Sequence, residues 1–164
     1  MSLDVLDRPI SALAGAGADG DAEQMLVTLL LASQLCGIPV LAVRDVLGEQ
    51  TIARIPLAPA EVAGSLNLRG RIVTAIDLRR RLRLPPAPEG TRRMSVVTEQ
   101  GGELYALLVD QVSEVMTLRA AAFEPVPPTL PAEWAAHSAG IYRLDGRLLV
   151  VLDVARLLAL GGAG

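Results

Sequence analysis

Gly64-Ser65-Leu66-Asn67-Leu68-Arg69-Gly70-Arg71-Ile72-Val73-Thr74-Ala75-Ile76-Asp77 returns in outline 76 positions later as Gly140-Ile141-Tyr142-Arg143-Leu144-Asp145-Gly146-Arg147-Leu148-Leu149-Val150-Val151-Leu152-Asp153. Gly64, Gly70, Arg71, Asp77 and Leu82 reappear as Gly140, Gly146, Arg147, Asp153 and Leu158. Upstream the spacing is 69: Val40, Val43, Asp45 and Val46 correspond to Val109, Val112, Glu114 and Val115, and Pro56 and Pro59 to Pro125 and Pro128. The difference, 76 minus 69, implies 7 extra residues in the second copy, expected between Pro128 and Gly140. Two copies are too few for a solenoid, so the duplication predicts a pseudo-symmetric pair of small folds.

Each copy reads as short strands. Residues 71–76 and 147–152 are runs of strand length, rich in Val, Ile and Leu, that begin after a glycine and end at an aspartate. Asp77 and Asp153 suit the N-caps of short helices over 78–82 and 154–158, because a carboxylate there accepts from the unpaired first amides. The uncharged run 25–43 is nearly long enough to span a bilayer. However, Thr28, Ser33, Gln34, Gly37 and Pro39 interrupt it, and the preceding Asp19-Gly20-Asp21-Ala22-Glu23 is acidic. It reads better as two buried strands joined at Ala32-Ser33-Gln34, with Pro39 closing the second. Residues 1–23, rich in Gly, Ala and Asp, read as a flexible tail. Pro85-Pro86-Ala87-Pro88-Glu89-Gly90-Thr91 separates the copies, giving expected bounds of 24–162 for the folded part and about 24–86 and 91–162 for its halves.

Composition removes several function classes. The chain has 164 residues, 51% of them hydrophobic, which is enough for a real core. A net charge of −3 and 2% aromatic content argue against a nucleic-acid surface. A single cysteine, Cys36, and a single histidine, His137, cannot make an internal disulfide or a four-ligand zinc site, so no metal is expected and a reducing cytoplasm fits. His137-Ser138 is the only histidine-serine juxtaposition; with no third orienting group it reads as a solvated loop. No phosphate-binding loop or hydrolase elbow occurs, so neither enzyme activity nor a cofactor is expected. One basic run, Arg79-Arg80-Arg81 with Arg83, leaves a small RNA- or DNA-binding barrel as the alternative. A solvated helix end that complements the helix dipole explains the same residues.

One turn breaks a local rule. In the second copy Asp145-Gly146 is the dipeptide expected where a tight hairpin requires positive φ. In the first copy Asn67-Leu68-Arg69-Gly70 places Arg69 where Asp or Asn would be easier for the backbone. At positive φ an arginine is strained by on the order of 1 kcal/mol, so its placement invites a functional reading. A turn of another type, with Arg69 merely solvated, is the bland alternative.

These segments together resemble the CheW family. The resemblance rests on Cys36-Gly37-Ile38-Pro39-Val40-Leu41-Ala42-Val43-Arg44-Asp45-Val46, on Arg54-Ile55-Pro56-Leu57-Ala58-Pro59, on 64–73 with Ile76-Asp77-Leu78, and on Leu108-Val109-Asp110-Gln111-Val112-Ser113-Glu114-Val115. It runs to about Leu160 and implies an all-β fold of two pseudo-symmetric five-stranded SH3-like barrels with short helices. It also implies a non-catalytic cytoplasmic adaptor that couples the signalling tips of methyl-accepting chemoreceptors to the regulatory domain of a CheA-type histidine kinase. It would meet the membrane only through those receptors, in their arrays. Carried onto this chain, the receptor-facing residues would be Val43, Asp45 and Arg69, with Asn67, Leu68 and Gly70 shaping the turn. Val43 would supply apolar contact, Arg69 a planar fork for acceptors, and Asp45 would orient Arg69 or meet a receptor cation, with mere solvation as its bland alternative. Core packing explains Val43 equally well. Kinase-contacting residues stay unassigned. Cys36, where the family usually has an aromatic residue, and the missing glycine in Ala32-Ser33-Gln34 are the departures from the pattern.

Overall fold

The computed structural model describes residues 22–160. Most of the expected tail, residues 1–21, therefore lies outside the described residues, while Ala22 is already buried. The strands are β1 (Glu23–Leu31), β2 (Gln34–Pro39), β3 (Asp45–Leu47), β4 (Val62–Leu68), β5 (Arg71–Asp77), β6 (Met94–Gln100), β7 (Glu103–Val109), β8 (Gln111–Arg119), β9 (Ser138–Leu144) and β10 (Arg147–Leu152). Among the described residues three short α-helices accompany them, α1 (Leu78–Arg81), α2 (Ala132–Ala136) and α3 (Val154–Leu157), with 3-10 turns at Val40–Ala42 and Ala120–Ala122. The strands form two five-stranded sheets, ordered β8-β1-β2-β10-β9 and β3-β6-β7-β5-β4. The run 25–43 is a β1–β2 hairpin, and among the described residues no helix is long and apolar enough to cross a membrane.

The duplication in the sequence is also a symmetry of pairing. Thr74 pairs in parallel with Tyr105 in one sheet, and Val150 with Cys36 in the other. Val46 pairs with Val96, and Val115 with Val27. These partners are related by the same offsets of 76 and 69 that the sequence shows. The copies nevertheless do not form one sheet each. The β1–β2 hairpin of the first copy inserts beside β10 of the second, and the β6–β7 hairpin of the second beside β5 of the first. The exchange covers the edges of β5 and β10 that would otherwise offer unpaired backbone groups.

The extra residues of the second copy are divided. The isolated bridge Ala53–Ser65 has its counterpart in Glu124–Ile141. Ala53 and Glu124 are 71 apart, so two of the seven extra residues precede Glu124 and five lie between it and β9. Pro56 and Pro125 are thus not structural equivalents, although the sequence aligns them. The later five residues match the length of α2, which brings Trp134 into the core.

Both faces of the central strands are buried, which is why their sequences are nearly continuous apolar runs. In β5, Val73 and Ala75 face a cluster inside their own sheet with Leu66 and Ala106, whereas Ile76 faces the cluster shared between the sheets. In β10, Leu149 and Val151 pack inside with Leu26 and Tyr142, and Val150 and Leu152 face the shared cluster. The period of two in a strand alone produces this division. Cys36 is fully buried in the shared cluster, and burial pushes its thiol far above the ordinary range, so it acts as a small core residue.

The predicted caps are present. Asp77 accepts from the Arg80 N–H at 3.3 Å and Asp153 from the Arg156 N–H at 3.1 Å. Two expectations fail. His137 and Ser138 are buried, not a solvated loop: the His137 ring contacts the Glu133 carbonyl, and the Ser138 hydroxyl donates to the Trp134 carbonyl. Both side chains close onto carbonyls of the short α2, of which the Trp134 carbonyl also accepts from the His137 N–H at 3.1 Å. The basic run is likewise not simply solvated. Arg79 grips Asp110, Arg80 approaches Asp77, Arg83 approaches Glu133, and Arg81 donates to the carbonyls of Leu157, Arg156 and Ala159. Arg79 and Arg81 are mostly buried structural ties between the copies.

Candidate partner-binding site

Arg69 lies in the β4–β5 hairpin, where Leu68 pairs with Arg71 and only Arg69 and Gly70 remain in the loop. A two-residue loop must follow the right-handed twist of its strands, which calls for positive φ at both central positions. Gly70 adopts φ 83° without strain, and Arg69 sits at φ 51°. The Gly70 N–H donates to Asn67 Oδ1 at 2.9 Å, which fixes the turn. In the equivalent turn Gly146 has φ 82°, whereas Asp145 stays outside the left-handed region. The strained position is therefore occupied by arginine in one copy, and the aspartate that could take it easily in the other copy does not.

The Arg69 side chain is 80% exposed and reaches across the mouth of its sheet to Asp45, Nη2 to Oδ2 at 3.2 Å. The approach is an ion pair without hydrogen-bond alignment: Asp45 Oδ2 is enclosed yet has no hydrogen-bond donor among the described residues, while Oδ1 accepts from the Val46 N–H at 2.8 Å. Because β3 and β4 are the two edges of the sheet, this contact spans strands that share no ladder.

Around the pair lies an open depression of about 330 Å³. Asp45, Leu68 and Arg69 line it, as the sequence reading groups them, together with Arg44, Arg71 and Glu99, which that reading did not assign. Arg44 approaches Glu99 at 3.5 Å. Glu99 carries no local signal, since only the pairing of β3 with β6 brings it near. Val43 does not line the depression; it is half-buried against the shared core, as its packing alternative expects. Among the described residues no group of His, Cys, Asp and Glu could hold a metal ion.

A family model described as the CheW-like domain matches residues 25–161. The chain belongs to this family. Similar curated CheW proteins include a probable chemotaxis protein CheW from Rhizobium etli, 28% identical, the match covering 85% of this chain and 89% of that protein. Another is the chemotaxis protein CheW of Klebsiella aerogenes, 29% identical over 83% of this chain and 82% of its own. The crystal structure of the scaffolding protein TtCheW from Thermoanaerobacter tengcongensis superposes with a TM-score of 0.75 at 28% identity, covering 85% of this chain and 94% of that one. The CheW-like fold thus accounts for both sheets, and the Arg69 turn stands at one open end of it.

Proposed function

We propose that this chain is a non-catalytic coupling adaptor of a bacterial chemosensory system, holding chemoreceptor signalling tips and a CheA-type histidine kinase in one assembly. The observation that carries this reading is the CheW-like match over 25–161, supported by curated relatives named as chemotaxis proteins. In this role the chain works in the cytoplasm, recruited to receptor arrays, and needs neither cofactor nor metal. Arg69, with Asp45 behind it, faces the receptor: its fork meets acceptors on the signalling tip, and its strain is tolerated because the turn presents it to a partner. Val43 contributes through its partly exposed side and otherwise packs the core. The regulatory domain of the kinase docks elsewhere on the surface. The nucleic-acid alternative loses its main support, because Arg79 and Arg81 are committed to internal acceptors.

Calorimetric titration with the regulatory domain of a CheA-type kinase, and separately with a receptor signalling-tip fragment, both from the same organism, tests the reading. Saturable binding to each is the expected result. A folded chain that binds neither would overturn it.

A further inference from the structure

We infer that Arg71 receives an acidic side chain of the receptor signalling tip at the mouth of the β3-β6-β7-β5-β4 sheet, and that Glu99, paired with Arg44 on the same rim, opposes that acid by like charge. The inference rests on the coupling reading above and extends it to the chemistry of recognition. Arg71 opens β5 on the side of the sheet that carries Val73 and Ala75 inward, so it stands at the rim of the curled sheet with Leu68 opposite. Three guanidinium groups and two carboxylates share this rim. Arg69 is matched by Asp45 and Arg44 by Glu99, whereas Arg71 is exposed and has no ion pair or side-chain hydrogen bond among the described residues. The two carboxylates are also less exposed than the arginines they meet, so the face turned to a partner is cationic on a chain whose net charge is −3. An acid that approaches this rim finds Arg71 free, while Arg44 is already engaged by Glu99.

The second copy provides an internal comparison. Arg44, Arg69 and Glu99 correspond by the offsets of 69 and 76 to Ser113, Asp145 and Leu30. Of the three arginines only Arg71 is kept, as Arg147, while Asp45 stays acidic as Glu114. Equivalent strands therefore frame two mouths, of which one carries three arginines and the other a single arginine beside Asp145 and Glu114. Charge complementarity selects the first for an acidic partner.

The test is titration of the full chain with a receptor signalling-tip fragment from the same organism, at two salt concentrations. The variants are Arg71→Glu, Arg71→Ala, Glu99→Gln and, as the matched control, Arg147→Glu. Arg71→Glu should weaken binding by about tenfold or more and Arg71→Ala by about threefold, with a shallower salt dependence. Glu99→Gln should tighten binding by about two- to threefold, and Arg147→Glu should leave it unchanged. Circular dichroism of each variant separates misfolding from lost contact. Wild-type affinity in Arg71→Glu, or an equal loss in Arg147→Glu, would overturn the inference while leaving the coupling reading intact. Absence of binding by the unaltered chain would overturn this inference together with the receptor half of the coupling reading, whose kinase half the separate titration tests.

Discussion

Arg79 and Asp110 form a two-pronged bond, Nε to Oδ1 at 2.9 Å and Nη2 to Oδ2 at 2.6 Å, that ties the first helix of one copy to the β7–β8 junction of the other. Oδ2 also accepts from the Ala32 N–H at 2.8 Å, so a single carboxylate joins α1, the β1–β2 turn and β8. A third N–H of Arg79 reaches the Pro85 carbonyl at 2.7 Å. Planar bidentate pairing of this kind is stronger and more directional than a point contact.

Burial by itself would raise the Asp110 carboxyl, but the Arg79 fork, the Ala32 N–H and the charges of Arg79 and Arg93 outweigh it and hold the group below the ordinary carboxylate range. A depressed folded value means that the contribution is complete above the unfolded value of about 4 and is lost as pH falls through the folded value. Asp110→Asn should cost about 2 kcal/mol in urea denaturation at pH 7, and the gap to the wild type should close as pH drops below about 4. A gap that persists undiminished at pH 2 would show that the charge contributes nothing.

Arg81 donates to three carbonyls at the end of α3, from Nε to Leu157 at 2.8 Å and from Nη2 to Arg156 at 3.0 Å and Ala159 at 3.3 Å. Those carbonyls have no further helix to accept from. Arg81→Lys preserves the charge but not the fork, so it should recover little of the loss of about 2 kcal/mol expected for Arg81→Ala. Equal stability of Arg81→Lys and the wild type in guanidinium denaturation would reduce the contact to simple electrostatics.

Ala32 and Ser33 adopt φ 49° and 71° in the β1–β2 turn, where the second copy uses Gly101 and Gly102 at φ 62° and 83°. The missing glycine changed the strain in this hairpin and not its path. Ser33→Gly should stabilise the chain by about 0.5–1 kcal/mol, read as a raised melting temperature. A lowered one would mean that the serine side chain offsets its own strain.

For Arg69, strain and function pull in opposite directions. Arg69→Asn relieves an arginine at positive φ but takes the cation away from the enclosed Asp45 Oδ2, so the two effects oppose each other and stability should stay within about 1 kcal/mol of the wild type. Binding to the receptor fragment should fall in the same variant, as it should in Arg69→Asp. Denaturation and titration of one preparation measure both effects. Unchanged affinity would take Arg69 out of the site.

Much of this architecture is written locally. Hairpins, caps and the Arg69 anomaly follow from neighbours in the chain, because φ preference, side-chain capping and strand period act over a few residues. The uncharged run 25–43 resolves into two strands by its own turn residues, and the duplication is visible because each copy must rebuild the same local geometry. Other features depend on partners far apart in sequence. Nothing local says that β1 and β2 leave their own copy to pair beside β10, since the exchange is driven by covering sheet edges. The capture of Arg79 and Arg81 depends on acceptors supplied from elsewhere in the fold, and polar residues look solvated until those acceptors are known; His137 and Ser138 meet carbonyls only four residues back, and it is the packing of α2 against the shared core that buries them. At the site the sequence determined the exposed arginine on a strained turn. Only the curvature that brings the two edges of one sheet together decided that Asp45, Arg44, Arg71 and Glu99 would surround it, because that rim is assembled from strands that share no local sequence signal.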